Sequence, residues 1–381
     1  MKRIAILLVV TLIGLTAYFY FTRSQTVHEL FLSEFENPEI HNAFLAVYSE
    51  PLNIDQNWAE GTFKNGNPVT QQNPFHTASI GKTFTATAIA ILKEEGKLNY
   101  NDPISDHLDT AVMQHLHMFD DVDHSNEILI EHLLQHRSGL PDYFEDQPDS
   151  GQSVMELMLK DPDHFWTPTE VLNFAKTQLK PHFEPGTDYY YTDTEYVLLG
   201  MIIQNITEKP LHQVFRERIF EPLGMHHTSM HLRSEPIETT GRMAEVYADD
   251  LEISSFRSIS ADWAGGGLLT TCQDLLTFHQ ALVNGKIISD LSFSEMQNWT
   301  PATKGMYYGY GLYKIQLNEL FFTLPDVTLI GHSGSTGSFM YYCPEWDVYI
   351  TGSFNQLGYL KNHIIFLSKV LSSLKEKAEN L

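Results

Sequence analysis

Cysteine is almost missing from this chain: Cys272 and Cys343 are the only two in 381 residues. That excludes a disulfide scaffold and an all-cysteine zinc site. The two lie far apart in sequence and read as buried thiols, with a disulfide between them the lesser alternative. Cations are scarce as well, with Lys+Arg 24 against Asp+Glu 48 and a formal charge of −24. A surface that acidic repels phosphate backbones, which excludes nucleic acid as a partner. It also repels anionic lipid headgroups, so any membrane attachment has to be hydrophobic. From about residue 29 to 378 there is no Gly/Ser linker, low-complexity tract or internal repeat, and this stretch reads as one continuous domain. No P-loop spacing occurs, so phosphate cradling is excluded too. What remains is 43% hydrophobic and 19% charged, enough apolar material for a large core and too much for a disordered chain.

One long apolar run is present. Residues 4–21 carry no charge, Lys2 and Arg3 precede them, and Arg23 closes them. Eighteen residues at 1.5 Å rise give ~27 Å of helix, close to a bilayer core. Tyr18 and Tyr20 suit the membrane interface. Residues 1–25 are therefore expected to be an uncleaved membrane anchor. A cleaved signal peptide is the competing reading, although no clean small-x-small site follows. The cations before the run stay cytoplasmic, so the rest of the chain is expected outside, membrane-anchored, or secreted if the segment is cut.

The order of patterns predicts an α+β fold. Residues 42–48 and 58–63 read as strands. Helical periodicity follows at 83–95, 131–136, 196–204 and 212–219, then strands return at 310–317, 327–331, 338–343 and 348–354. Residues 364–374 close the chain with helical spacing. Strands, then helices, then strands imply one mainly antiparallel sheet built from both chain ends, flanked by helices, with a mostly helical insertion.

Three segments carry chemistry. The first has Ser79 and Lys82 at the start of a helix. A serine there lies near unpaired N–H groups and the positive dipole end, with the lysine one turn away on the same face. A desolvated, neutral lysine can act as a base; an ammonium cannot. The plainer reading is an N-cap and a surface lysine. The second runs from a Pro185-Gly186 turn through Tyr191 and Asp193 into a helix. A tyrosine presented there can shuttle a proton, or simply pack the loop. The third is GHSGSTGSF, residues 331–339, after a strand-like run. Its glycines let a substrate backbone approach, and a free N–H beside that of Ser79 would make an oxyanion hole. An ordinary hairpin turn is the alternative.

Taken together these segments resemble the serine β-lactamase-like family, in the branch holding class C β-lactamases, DD-peptidases, D-aminopeptidases and related esterases. The order S-x-x-K, Tyr-x-Asn and H/K-x-G is kept. Residues 130–141 (IEHLLQHRSGLP), 221–225 (EPLGM) and 264–275 (AGGGLLTTCQDL) match further family stretches, so the resemblance spans about 40 to 370. It implies that Ser79 is a nucleophile forming an acyl-enzyme, with Lys82 and Tyr191 as proton-transfer partners. The N–H groups of Ser79 and Ser335 would form the oxyanion hole. Asp193, His332 and Gly334 would flank the substrate. No metal and no cofactor are expected. The implied substrates are peptidoglycan-derived D-amino-acid peptides or small esters, hydrolysed outside the cytoplasm. A slowly acylating or non-catalytic penicillin-binding sensor on the same fold is the alternative.

Two departures qualify this. Asp193 stands where the family has asparagine; an ionised carboxylate can only accept hydrogen bonds, and pairing with Lys82 would raise the lysine pKa and leave Tyr191 as base. His332 stands where many relatives have lysine, and a histidine is mostly neutral near neutral pH. Both argue against an efficient β-lactamase. His132 and His136 have zinc-compatible spacing, yet the family stretch explains them as packing and loop-fixing residues. His115 and His117 read as solvated or turn residues.

Overall fold

The computed structural model describes residues 25–380 apart from 240 and 321. The expected anchor at residues 4–21 lies outside the described residues. Among the described residues no helix is long and apolar enough to cross a membrane.

Eight antiparallel strands make the main sheet: β1 (Asn42–Ser49), β2 (Ile54–Gly61), β3 (Thr300–Thr303), β4 (Met306–Tyr308), β5 (Tyr313–Gln316), β6 (Thr328–Ser333), β7 (Ser338–Cys343) and β8 (Val348–Ser353). Their spatial order is β3-β4-β5-β6-β7-β8-β1-β2. The N-terminal hairpin thus docks on the last strand, with Phe44 opposite Ser353 and Val47 opposite Ile350. The fold is α+β, as the strand–helix–strand order predicts. The hairpin strand expected at 58–63 begins earlier, at Ile54.

β1 reads NAFLAVYS, apolar almost throughout, because both of its faces are covered. Ala43, Leu45 and Val47 point into a cluster with Phe31 of helix α1 (Val27–Phe35) and Phe366, Val370 and Leu371 of helix α5 (Leu360–Glu379). Phe44 and Ala46 point the other way, toward the insertion. The insertion is built on α2 (Gly81–Glu94), α3 (Asp193–Thr207) and α4 (Cys272–Val283). A small sheet of Phe75–His76, Leu268–Thr270 and Ser229–Met230 joins it.

Helix α2 is surrounded on nearly every side, which its sequence GKTFTATAIAIL permits. Its small residues let other backbone come close, and each threonine hydroxyl finds a carbonyl: Thr83 donates to Gly311 O at 2.7 Å and Thr85 to Ala264 O at 2.6 Å. The Phe84 ring stacks on Phe278 with centroids 3.8 Å apart. This central helix carries the lysine singled out above. Both cysteines are buried and free. His117 departs from expectation: it is fully buried, edge-on to His124, not solvated.

Candidate active site

Residues 75–78 run from a short strand into the turn that starts α2. Ala78 takes a left-handed φ of 45°, an unusual conformation for an alanine. Its surroundings impose it. A Cβ at Gly266 would stand 2.4 Å from the Ala78 carbonyl carbon, and one at Gly334 would stand 2.4 Å from Thr77 O. Only glycine lets these two segments close on the strand from both sides. Hydrogen bonds lock the arrangement: Thr77 N–H donates to Leu268 O at 2.9 Å, and Ser338 Oγ to Thr77 O at 2.6 Å. The outcome is that Ser79 faces a cavity of about 540 Å³, which Tyr191, Asp193, His332 and Ser335 also line.

Lys82 lies beneath Ser79 with no exposure. Its ammonium has three partners for its three protons: Ser79 Oγ at 3.1 Å, Gly265 O at 3.3 Å and a close contact with Asp193 Oδ1. It also sits 4.9 Å above the Tyr191 ring and 5.4 Å from that of Tyr196. Burial opposes its charge, but Asp193 and then Asp262 outweigh that and hold its pKa above the ordinary value. The pairing anticipated from Asp193 is therefore present. Tyr191, hydrogen-bonded to Ser79, is not released as a base by it: burial, then Asp193, push its hydroxyl well above the usual phenol range. With Asp193 in place both proton-transfer candidates rest protonated.

Two further carboxyls crowd this ammonium. Burial and then Asp193 raise Asp262 to about 7, and the same two causes raise Asp142 well above the carboxylate range. Asp142 Oδ1 accepts the Asp193 N–H at 3.2 Å. Like charges this close in a dry site cannot all ionise. Sequence reasoning did not single out Asp142 or Asp262. Asp142 directly follows the stretch ending at Pro141 and Asp262 lies two residues before the one starting at Ala264, but neither belongs to a periodic or charge pattern.

His332 is buried with both ring nitrogens engaged. Nδ1–H donates to Ser333 O at 2.7 Å, which leaves Nε2 to accept from Tyr308 O–H at 3.0 Å. Burial, then Lys82, lower its pKa to about 3. The imidazole is neutral and supplies no cation to the cavity. Gly334 uses its own N–H on Ser338 O at 2.8 Å, while among the described residues the exposed Ser335 N–H has no protein partner. Behind Tyr191, His136 Nδ1 meets Glu195 Oε2 at 2.6 Å, with both side chains fully buried. His132 Nδ1 accepts the Leu129 N–H at 3.2 Å. The two histidines thus fix loops separately.

Residues 42–365 match the family model for Beta-lactamase. A penicillin-binding protein of Bacillus subtilis (strain 168) is 26% identical over 332 residues, which cover 82% of this chain and 63% of that protein. PbpX of the same organism is 28% identical over 249 residues, 65% of this chain and 54% of that one. The chain therefore spans between half and two-thirds of the length of these relatives. Among solved structures, D-amino acid amidase from Ochrobactrum anthropi SV3, complexed with L-phenylalanine, superposes with a TM-score of 0.74 at 26% identity, covering 92% of this chain and 98% of that one. EstCE1, a hydrolase with promiscuous acyltransferase activity, shares the fold with a TM-score of 0.73 at 19% identity, covering 91% of this chain and 97% of that one. With a family match over most of its length and the same sheet-and-helix architecture in its structural neighbours, the chain belongs to the Beta-lactamase family.

Proposed function

We propose that residues 29–378 form a serine hydrolase that cleaves an amide or ester by acyl transfer to Ser79. Ser79 Oγ bonds to the carbonyl carbon while its proton passes through Lys82 and Tyr191 to the departing amine or alcohol, and the C–N or C–O bond breaks. Water then repeats the attack, returning the proton to Ser79 and releasing the acid. Splitting the reaction this way replaces one difficult hydrolysis by two easier transfers. The N–H groups of Ser79 and Ser335 are assigned to the oxyanion. One observation carries the reading: Lys82 Nζ lies 3.1 Å from the oxygen of a serine that opens onto a cavity. The named activity of the amidase relative makes amino-acid amides natural first substrates.

A fluorophosphonate is expected to label the wild-type chain at Ser79, located by mass spectrometry, and Ser79→Ala is expected to abolish that label without loss of folding. An undiminished adduct in the variant removes Ser79 from this role. The second reading, a slowly acylating sensor, draws on the contact between Asp193 and Lys82, which keeps the lysine protonated. Failure of both fluorophosphonate and penicillin to label the folded chain would put it first. The extracytoplasmic, membrane-anchored location rests on the sequence of residues 1–25, and protease shaving of intact cells checks it.

A further inference from the structure

The cavity beside Ser79 has a chemical character of its own. Met155 and Met158 from one helix, with Met243, Ile253, Ile259 and Leu357 from elsewhere in the chain, line it, and Met306 brings the methionines to four. Methionine walls are apolar and adapt their shape to a guest. The volume of about 540 Å³ lies in the range of ligand pockets, which span roughly 300–1,000 Å³.

Its charge is equally one-sided. Among the described residues no lysine or arginine lines the cavity, whereas Asp142, Glu145, Asp193 and Asp262 all do. The nearest cation, Lys82, lies below the surface in contact with Asp193. Three histidines line the walls, and none supplies a positive charge. His332 has both nitrogens committed, and His76 Nδ1 accepts the Ala78 N–H at 3.2 Å. Burial lowers His76 to about 3 and His231 to about 4. A carboxylate carried into this cavity would lose its water and find neutral hydroxyl and N–H donors but no cation, with four carboxyls around it, at considerable cost.

We infer that the Ser79 site selects acyl donors whose acyl group is large, apolar and free of any carboxylate. This rests on the acyl-transfer reading above and adds to it a substrate class. Burying one CH₂ is worth roughly fourfold in binding or rate, so a chain-length series reads the cavity directly.

The experiment compares kcat/KM of the full chain on p-nitrophenyl acetate, p-nitrophenyl octanoate and p-nitrophenyl hydrogen suberate. The last matches octanoate in length but ends in a carboxylate. Octanoate is expected to exceed acetate by more than about a hundredfold, and suberate to fall at least about a hundredfold below octanoate. Ile259→Trp, which fills the cavity, should shrink the octanoate-to-acetate ratio at least about tenfold, and Met243→Lys should raise suberate relative to octanoate by a similar factor. A flat chain-length profile, or suberate equal to octanoate, overturns the inference while fluorophosphonate labelling of Ser79 leaves acyl transfer standing. Absence of both ester turnover and labelling overturns the two together. Should either variant misfold, the three wild-type rates decide alone.

Discussion

Lys82 can take a proton from Ser79 only after losing one of its own, and Asp193 governs when that happens. Remove the Asp193 charge and the weaker pull of Asp262 is left to oppose burial of the ammonium, so its pKa falls. The amine is the basic form and exists above the pKa, so lowering the pKa extends activity toward acid. Asp193→Asn is therefore expected to speed acylation at about pH 7 by roughly tenfold for each unit of pKa released, and to move the acid limb of the pH–rate profile downward. Stopped-flow acylation by a chromogenic penicillin or fluorophosphonate across pH checks it; an unchanged or slower reaction at neutral pH would sink the idea. At this scale the sequence was informative wherever a motif fixed the spacing. Ser79, Lys82, Tyr191, Asp193, His332 and Ser335 do meet at one cavity or just beneath it. Asp142 and Asp262 escaped because no repeat distance links them to the motif residues. Backbone turns deliver them, and turns of that kind leave little trace in one sequence.

The elements that were legible are those whose burial writes a pattern. β1, β6, β7 and β8 are buried almost throughout, and each centres on a short apolar or aromatic stretch such as FLAVY, LI, FMYY or VYI. β3, at the sheet edge, and β4 beside it are short and half-exposed, and their sequences TPAT and MYY carry no such signal. Several unassigned helices did announce themselves by another route. Thr26 with Glu29, Ser153 with Glu156 and Thr167 with Glu170 each form a reciprocal capping box, the S/T-x-x-E spacing that starts a helix. Apolar periodicity in pieces of seven to eleven residues is too brief to show them. Gly266 is the sharpest case of an element held by what is missing. A methyl group there would stand 2.4 Å from one Ala78 backbone atom and 2.5 Å from another. Gly266→Ala is expected to cost about 1–3 kcal/mol of stability and to displace Ser79 from Lys82. Urea unfolding together with fluorophosphonate labelling checks both; normal labelling at normal stability would mean that the segment tolerates the extra carbon.

For the molecule as a whole, buried neutral histidines set the response to acid. His76, His279, His332 and His363 are buried, and burial, joined by the neighbouring His231 ring for His76 and by Lys82 for His332, lowers each to about 3. In the unfolded chain they titrate near 6.5, so below that pH the unfolded state binds protons that the folded state refuses. Their contribution is complete above about pH 6.5 and declines as pH falls toward about 3. Asp262, raised to about 7, and Asp142, Glu195 and Asp274, which burial also raises, work in the opposite sense, but His136, His132 and His231 are lowered as well, so the buried histidines outnumber the buried carboxyls. Thermal melts are expected to hold steady above about pH 7 and to move to lower temperature from about pH 6.5 downward. A midpoint that stays constant to about pH 5 would show that these rings find protons in the fold.

The docking of β1 onto β8 also has a consequence in time. Phe44 pairs with Ser353, partners 309 positions apart, so the first strand made cannot take its place until nearly the whole chain exists. Contacts of such long sequence separation close slowly, because the entropy of the intervening loop is lost before any pairing repays it. The turn that bears Ser79 leans on Gly334 and Ser338, which belong to the same late-made hairpin. A nascent chain carries its serine and lysine for most of its synthesis without the wall that brings them to bear on a substrate, and reactivity is expected to arrive in one step with the final strands.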